Sequence, residues 1–208
     1  MIAVVDYGAG NLRSIRKGLE RQGLEVRVTD SPRLLDEADA LVVPGDGAFG
    51  PAMAGLRDAG FVERIREFVD SGRPFLGICL GMQVLFEESE EDGVHQGLGL
   101  LPGRVVRLSE EVKTPHMGWN ALDIVRPSPL LDGCATGMHV YFIHSYHAVP
   151  ADPALVAATA DYGGEVAAVV GGGNVWATQF HPEKSGAAGS RVLTNFARWA
   201  IGAGAAGR

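Results

Sequence analysis

The pentad Gly77-Ile78-Cys79-Leu80-Gly81 sets a thiol between two glycines. It lies between an apolar run at 74–78, which reads as a buried strand, and a helix-like stretch at 80–86. That is the pattern of a strand-to-helix nucleophile elbow with Cys in place of Ser, a turn so tight that its flanks accept only small residues. The geometry exposes the thiol at the strand's C-terminal end and at a helix N-terminus, where the dipole favours the thiolate that attacks carbonyls. The competing reading is a buried structural cysteine, common for this residue type, and the paired glycines weigh against it. A thiolate also needs a base that hands a proton to the leaving group. Among six histidines, His181 stands out, because Gln179-Phe180-His181-Pro182-Glu183 follows an apolar run at 175–179 and offers a carboxylate two residues on. Pro182 pre-sets φ near about −65° and helps hold Glu183 against one ring nitrogen, which fixes the tautomer. Taken alone, His-Pro-Glu reads equally well as a surface turn.

Elements must bring these groups together. In the first half, apolar runs at 2–5, 24–29, 40–43 and 74–78 alternate with helical patterns, one at 12–22 and another in which Phe61, Ile65, Phe68 and Val69 share a face. Strand, helix, strand repeated in this way implies a parallel sheet with right-handed crossovers. The second half has strand-like runs at 101–108, 121–125, 138–142, 155–159, 166–170 and 175–179 with no long helix between them, which predicts antiparallel additions to that sheet. A helix at 186–201 closes the chain. The expected fold is α/β, a three-layer αβα, flavodoxin-like, mostly parallel sheet with antiparallel additions in the second half. One domain spans 1–201, followed by a flexible Gly/Ala-rich tail at 202–208.

Composition narrows the classes. With 18 Lys+Arg against 25 Asp+Glu the formal charge is −7, which argues against a nucleic-acid backbone as partner. No apolar run approaches the roughly 18 residues that span a bilayer, so no membrane partner is expected. Two cysteines, Cys79 and Cys134, make no disulfide framework, so the expected setting is reduced and cytoplasmic. No Cys/His cluster has zinc spacing, and neither a metal nor another cofactor is expected. His116, His139, His144 and His147 gather in one stretch, but residues on two faces of a strand do not converge on an ion. The acidic run Glu87, Glu88, Glu90, Glu91 and Asp92 reads as a solvated loop.

The segment 74–83 together with Gln179-Phe180-His181-Pro182-Glu183 closely resembles the class I (triad) glutamine amidotransferases. Three further segments narrow the resemblance to the glutaminase subunits of imidazole glycerol phosphate synthases, in histidine biosynthesis. They are 6–14 (Asp6-Tyr7-Gly8-Ala9-Gly10-Asn11-Leu12-Arg13-Ser14), Pro115-His116-Met117-Gly118-Trp119-Asn120, and the continuation of the triad turn into Lys184-Ser185. The resemblance runs from Met1 to about Trp199. It implies that Cys79 attacks the side-chain amide of L-glutamine, that His181 carries the proton to departing ammonia, and that Glu183 orients His181. It further implies an oxyanion hole from the backbone N–H of Leu80 and from the loop Pro44-Gly45-Asp46-Gly47, with Asp46 and Gly47 supplying the second donor. Gln83 and the backbone around His144, Ser145 and Tyr146 would hold the substrate's amino-acid end. Trp119, Asn120 and Lys184 would face or signal to a (β/α)8-barrel cyclase that forms the other half of a heterodimer and receives the ammonia. Trp119 reads equally as a turn plug in the core.

Asp46 departs from the pattern, since many members of the family carry a small apolar residue there. A carboxylate aimed at the site would oppose a thiolate and an oxyanion, so its side chain is expected to point away, to solvent or to the partner. The alternatives are a glutaminase serving another acceptor, in the pyridoxal phosphate, anthranilate or guanylate pathways, a stand-alone γ-glutamyl hydrolase, and a non-enzymatic flavodoxin-like protein with a reactive cysteine.

Overall fold

The computed structural model describes residues 1–206. The first half is built as β1 (Ile2–Val5), α1 (Leu12–Glu20), β2 (Val26–Thr29), β3 (Ala40–Val43), α2 (Phe49–Asp58), α3 (Phe61–Asp70), β4 (Phe75–Ile78) and the single-turn α4 (Leu80–Gln83). There follow β5 (Phe86–Ser89), β6 (His95–Gln96), β7 (Leu101–Arg107), β8 (His116–Ala121), β9 (Asp123–Ile124), β10 (His139–His144), β11 (Tyr146–Pro150), β12 (Val156–Asp161), β13 (Glu165–Gly172), β14 (Val175–Thr178) and α5 (Gly186–Ala206).

The main sheet has eight strands in the order β2-β1-β3-β4-β14-β13-β12-β9. Its first five are parallel, and their order is the doubly wound flavodoxin arrangement, which opens a crevice at the carboxyl ends of the strands. The remaining three are antiparallel. Side chains alternate across the sheet. Ala3, Val5, Leu41, Val43 and Phe75 pack with α2 and α3 through Phe49, Leu56, Phe61, Ile65 and Phe68. On the other face Ile2, Val4, Val42, Leu76 and Ile78 pack with Ile15 and Leu19 of α1 and Val192, Leu193 and Phe196 of α5. Strands buried on both faces read as continuous apolar runs, which is why β1 and β3 are uniformly apolar.

The second half departs from expectation. Its strands do not all join the main sheet: β11-β7-β5-β6 form a separate four-stranded sheet and β10-β8 a two-stranded one. The helix expected at 80–86 stops at Gln83, because Phe86 enters β5 and pairs with Leu101 of β7. The acidic run is not a free loop either. Glu87 and Glu88 lie on β5, Glu87 accepts from the Gly103 N–H at 2.9 Å, and Glu91 accepts from the Phe49 N–H at 2.7 Å. The closing helix continues past 201 to Ala206, into the segment expected as a tail; the alanines there are strong helix formers. Residues 207–208 of that segment lie outside the described residues.

Candidate active site

Cys79 sits immediately after β4 with φ 54° and ψ −109°, one of two non-glycine residues in the described chain with positive φ. Such a conformation costs of order 1–3 kcal/mol and persists only where the surroundings over-determine it. They do so here. A Cβ on Gly81 would lie 1.9 Å from the Val43 carbonyl oxygen, and one on Gly77 would lie 2.5 Å from that of Gly81. The turn is clamped against β3, and any side chain at either flank would force it open. The expected helix N-terminus is there, but α4 is a single turn, so its dipole is short. What remains is local: the Leu80 N–H, first in the helix, has no intrahelical acceptor and is free to serve an anion at the thiol.

His181 and Glu183 stand at the end of β14, in a short turn opened by Pro182. The His181 Nδ1 and Glu183 Oε1 are 2.9 Å apart, and both side chains are almost wholly buried. With Nδ1 held by the carboxylate, Nε2 is the nitrogen left for chemistry; it is buried and without a hydrogen bond. Burial alone lowers the pKa of His181, but Cys79 and Glu183 together outweigh it and push the ring up to about 9. Cys79 thus favours the charged form of the His181 ring. Ser185 accepts from the Tyr141 N–H at 2.9 Å and donates to the His181 carbonyl at 2.6 Å, which ties the turn to β10.

A cleft of ≈ 370 Å³ opens over the thiol, bounded by Asp46, Gly47, Cys79, Leu80, Gln83, Glu91, the 143–146 segment, His181 and Lys184. The structure therefore brings the expected triad, both expected oxyanion segments, Gln83, His144, Ser145, Tyr146 and Lys184 to one place. Asp46 is exposed, and its Oδ1 accepts from the Gly10 N–H at 2.9 Å. The carboxylate is turned onto the loop after β1, and Gly47 beside it has φ 87°. Trp119 is 56% exposed, which excludes the core plug, and it stands beside Met117, 59% exposed.

Gln83 lines the cleft and is itself tied into the protein. It is buried, and its Nε2 donates to the Tyr146 carbonyl at 2.8 Å and to Gln179 Oε1 at 3.1 Å, so both amide hydrogens are engaged within the protein. Gln179, missed in the sequence, donates from Nε2 to Cys79 Sγ at 3.7 Å, while the thiol faces the Ile143 carbonyl at 3.8 Å. Its place within Gln179-Phe180-His181 was the available signal. Tyr7 was missed as well. It donates to the Pro44 carbonyl at 2.8 Å and anchors the loop expected to supply the second oxyanion donor. Its own ionisation is strongly suppressed by burial, with Asp46 and Cys79 adding to the effect. Glu91, read as solvated, reaches the cleft, and burial raises its pKa.

A strained thiol at an elbow, an imidazole locked by a carboxylate, and open backbone amides on a doubly wound sheet define a thiol-dependent acyl-transfer site. The glutamine amidotransferase class-I family matches residues 3–199, and the chain belongs to it. Two curated relatives narrow the placement, and both are named imidazole glycerol phosphate synthase subunit HisH. That of Syntrophotalea carbinolica is 57% identical over 203 residues, covering 94% of this chain and 98% of the relative. That of a Synechococcus strain is 54% identical over 199 residues, covering 94% and 92%. Among solved structures, one described as the structure of PurLQS from Thermotoga maritima shares the fold, with a TM-score of 0.74 at 21% identity, covering 95% of this chain and 97% of that one.

Proposed function

We propose that this chain is the glutaminase subunit of imidazole glycerol phosphate synthase and works as half of an enzyme. The observation that carries the reading is the locked imidazole: Glu183 holds Nδ1 of His181, so that Nε2 alone serves Cys79. Cys79 Sγ gives its proton to Nε2 and attacks the side-chain amide carbon of L-glutamine. The tetrahedral oxyanion is received by the Leu80 N–H and by the Asp46–Gly47 backbone, donors worth about 3–4 kcal/mol each in comparable sites. His181 returns the proton to nitrogen, the C–N bond breaks, and ammonia leaves. Water, deprotonated by His181, then opens the γ-glutamyl thioester to give glutamate and free thiol. Glu91, a carboxylate in the cleft, suits the ammonium of the substrate's amino-acid end, while the 144–146 backbone flanks it.

The ammonia passes to a (β/α)8-barrel cyclase, which forms imidazole glycerol phosphate and aminoimidazole carboxamide ribotide from a phosphoribulosyl precursor. The exposed Met117 and Trp119 on β8 offer that partner an apolar anchor of the kind that dominates interfaces, with Lys184 at the cleft. A sealed transfer has a chemical reason, since free ammonia at neutral pH is mostly ammonium, a poor nucleophile. The setting is cytoplasmic, where the Cys79 thiol stays reduced.

The test is a coupled assay with glutamine and the phosphoribulosyl precursor, with and without the cyclase. Cys79→Ala should lose glutamine-dependent turnover by at least about 10³-fold, as expected where a nucleophile is removed from a triad, while the complex still uses added ammonium salt. Retained glutamine turnover in Cys79→Ala would overturn the assignment.

A further inference from the structure

A pair of histidines lies beside the cleft, and its hydrogen bonds can run in one direction only. His116 on β8 and His144 on β10 are direct cross-strand partners, both buried. The His116 ring is sandwiched between Phe142, 4.6 Å between centroids and 18° between planes, and Tyr162, at 3.8 Å and 15°. The Tyr162 hydroxyl donates to the Lys113 carbonyl at 2.7 Å, which holds the outer leaf of the sandwich.

The direction is forced from both ends. Asn120 Oδ1 accepts from the Ala121 N–H at 2.8 Å and its Nδ2 donates to the Asp161 carbonyl at 2.9 Å, so the amide cannot be flipped. Its Nδ2 also stands 3.3 Å from His116 Nε2, which must therefore accept. A neutral ring has one N–H, and in His116 it is on Nδ1, 3.1 Å from His144 Nε2. His144 in turn carries its hydrogen on Nδ1, 2.9 Å from the Tyr146 carbonyl, which can only accept. Starting instead from Tyr146 gives the same two tautomers. A proton added to either ring would set N–H against N–H, and burial pushes His116 down to about 4 and His144 down to about 3. The Tyr146 carbonyl is also where Gln83 donates. One oxygen in the cleft wall thus receives two chains of hydrogen bonds, one starting at Asn120 and one that continues through Gln179 to Cys79.

We infer that His116 and His144 are positioning residues, a one-way relay of two Nδ1–H imidazoles that holds the Tyr146 carbonyl and the 144–146 wall in register for glutamine. The relay rests on the glutaminase reading and adds to it that the binding wall is fixed from Asn120, beside the exposed Trp119. Loss of the relay should loosen substrate binding and leave the thiol's chemistry in place.

Two substitutions at His116 separate a relay from packing. His116→Phe keeps an aromatic ring in the sandwich and removes both ring nitrogens. His116→Asn gives up the stack and keeps a donor at the position of Nδ1. With the full two-subunit enzyme, His116→Phe should raise KM for glutamine about tenfold or more with kcat within about twofold, since a buried acceptor loses its donor. His116→Asn should stay within about threefold of the parent, and ammonium-dependent turnover should be unchanged in both. The reverse order, with Phe tolerated and Asn impaired, would assign His116 to packing and overturn the relay. A direct readout is long-range 1H–15N correlation on histidine-labelled chain in the complex, where both rings should carry hydrogen on Nδ1 with Nε2 bare at neutral pH. An Nε2–H tautomer or an imidazolium at either position would equally refute it. Cys79→Ala in the same assay keeps the two ideas apart, because it tests the glutaminase reading whichever way the His116 variants fall.

Discussion

Two buried histidine sites border the same cleft, and they are driven to opposite charge. At His181 the neighbours are Glu183 and Cys79, and together they overcome burial to push the ring up to about 9. At His116 and His144 the neighbours are an amide hydrogen, another imidazole and a carbonyl; burial goes unopposed at His116 and outweighs the Tyr146 carbonyl at His144, so the rings are pushed down to about 4 and 3. Residue type and depth are alike, and the partner decides. A carboxylate at Nδ1 prepares a ring to take and give a proton, whereas a carbonyl at the same nitrogen fixes its tautomer and removes it from acid–base chemistry. On the proposed reading, one cleft is served by one histidine for proton transfer and two for position.

The largest break in this contrast is Glu183→Gln. The amide keeps a polar group near Nδ1 but no charge, and it can present its N–H to the ring and turn the tautomer over. Glutamine-dependent kcat should fall by about 10²–10⁴, the range seen when the orienting carboxylate of a triad is neutralised. Without the carboxylate, burial works against Cys79 alone, so the alkaline limb of kcat/KM should move to lower pH. Unchanged rate and pH profile would mean that Glu183 does not set the charge on His181.

A smaller effect is expected in stability, where the two sites act at opposite ends of the pH scale. Between the ordinary value of 6.5 and about 4, the unfolded chain protonates His116 and His144 while the folded chain does not. The unfolded state then binds more protons, so stability falls as pH falls through that window. For His181 the folded value lies above 6.5, so its contribution is fully present below 6.5 and is lost as pH rises toward 9. The thermal midpoint should drop on both sides. In His116→Phe the drop between pH 6.5 and 4 should be shallower than in the parent, and an identical slope would show that His116 is not held neutral by the fold.

How much of this was legible in the sequence follows the range of the interactions. The elbow could be read because Gly77 and Gly81 are local demands of one turn, and His181 with Glu183 because Pro182 joins them. The parallel half followed from apolar runs alternating with helical patterns. The relay could not be read from spacing, since His116 and His144 meet only through the β8–β10 register, 28 residues apart. Treating the histidines face by face along one strand missed a pair across two. Glu91 was lost for the same reason: its partner is a backbone N–H 42 residues away, and no residue type advertises that bond. The helix expected at 80–86 was overread because Leu80, Met82, Val84 and Leu85 are apolar at every depth of the core, so pattern alone does not show where the chain leaves the helix for β5.

The finest test concerns the other carboxylate at the mouth. Asp46 was expected to point away from the chemistry, and its Oδ1 is engaged by the Gly10 N–H. Its charge is felt by Tyr7, one of the groups that suppress that ionisation, but it is not among the groups that raise His181. If Glu183 alone supplies the carboxylate that charges the ring, Asp46→Asn should leave the pH profile of kcat/KM unmoved. The amide oxygen of Asn still accepts from Gly10, so the loop after β3 keeps its tie to the loop after β1, and kcat should stay within about threefold, as expected for an exposed charge screened by solvent. Asp46→Ala removes the tie as well as the charge. A larger effect in Ala than in Asn would assign Asp46 to holding the oxyanion loop. Equal and large gains in both, measured as glutamate release by the complex, would mean instead that its negative charge reaches the thiolate, and that the mouth of the cleft shares in a balance otherwise set between Cys79, His181 and Glu183.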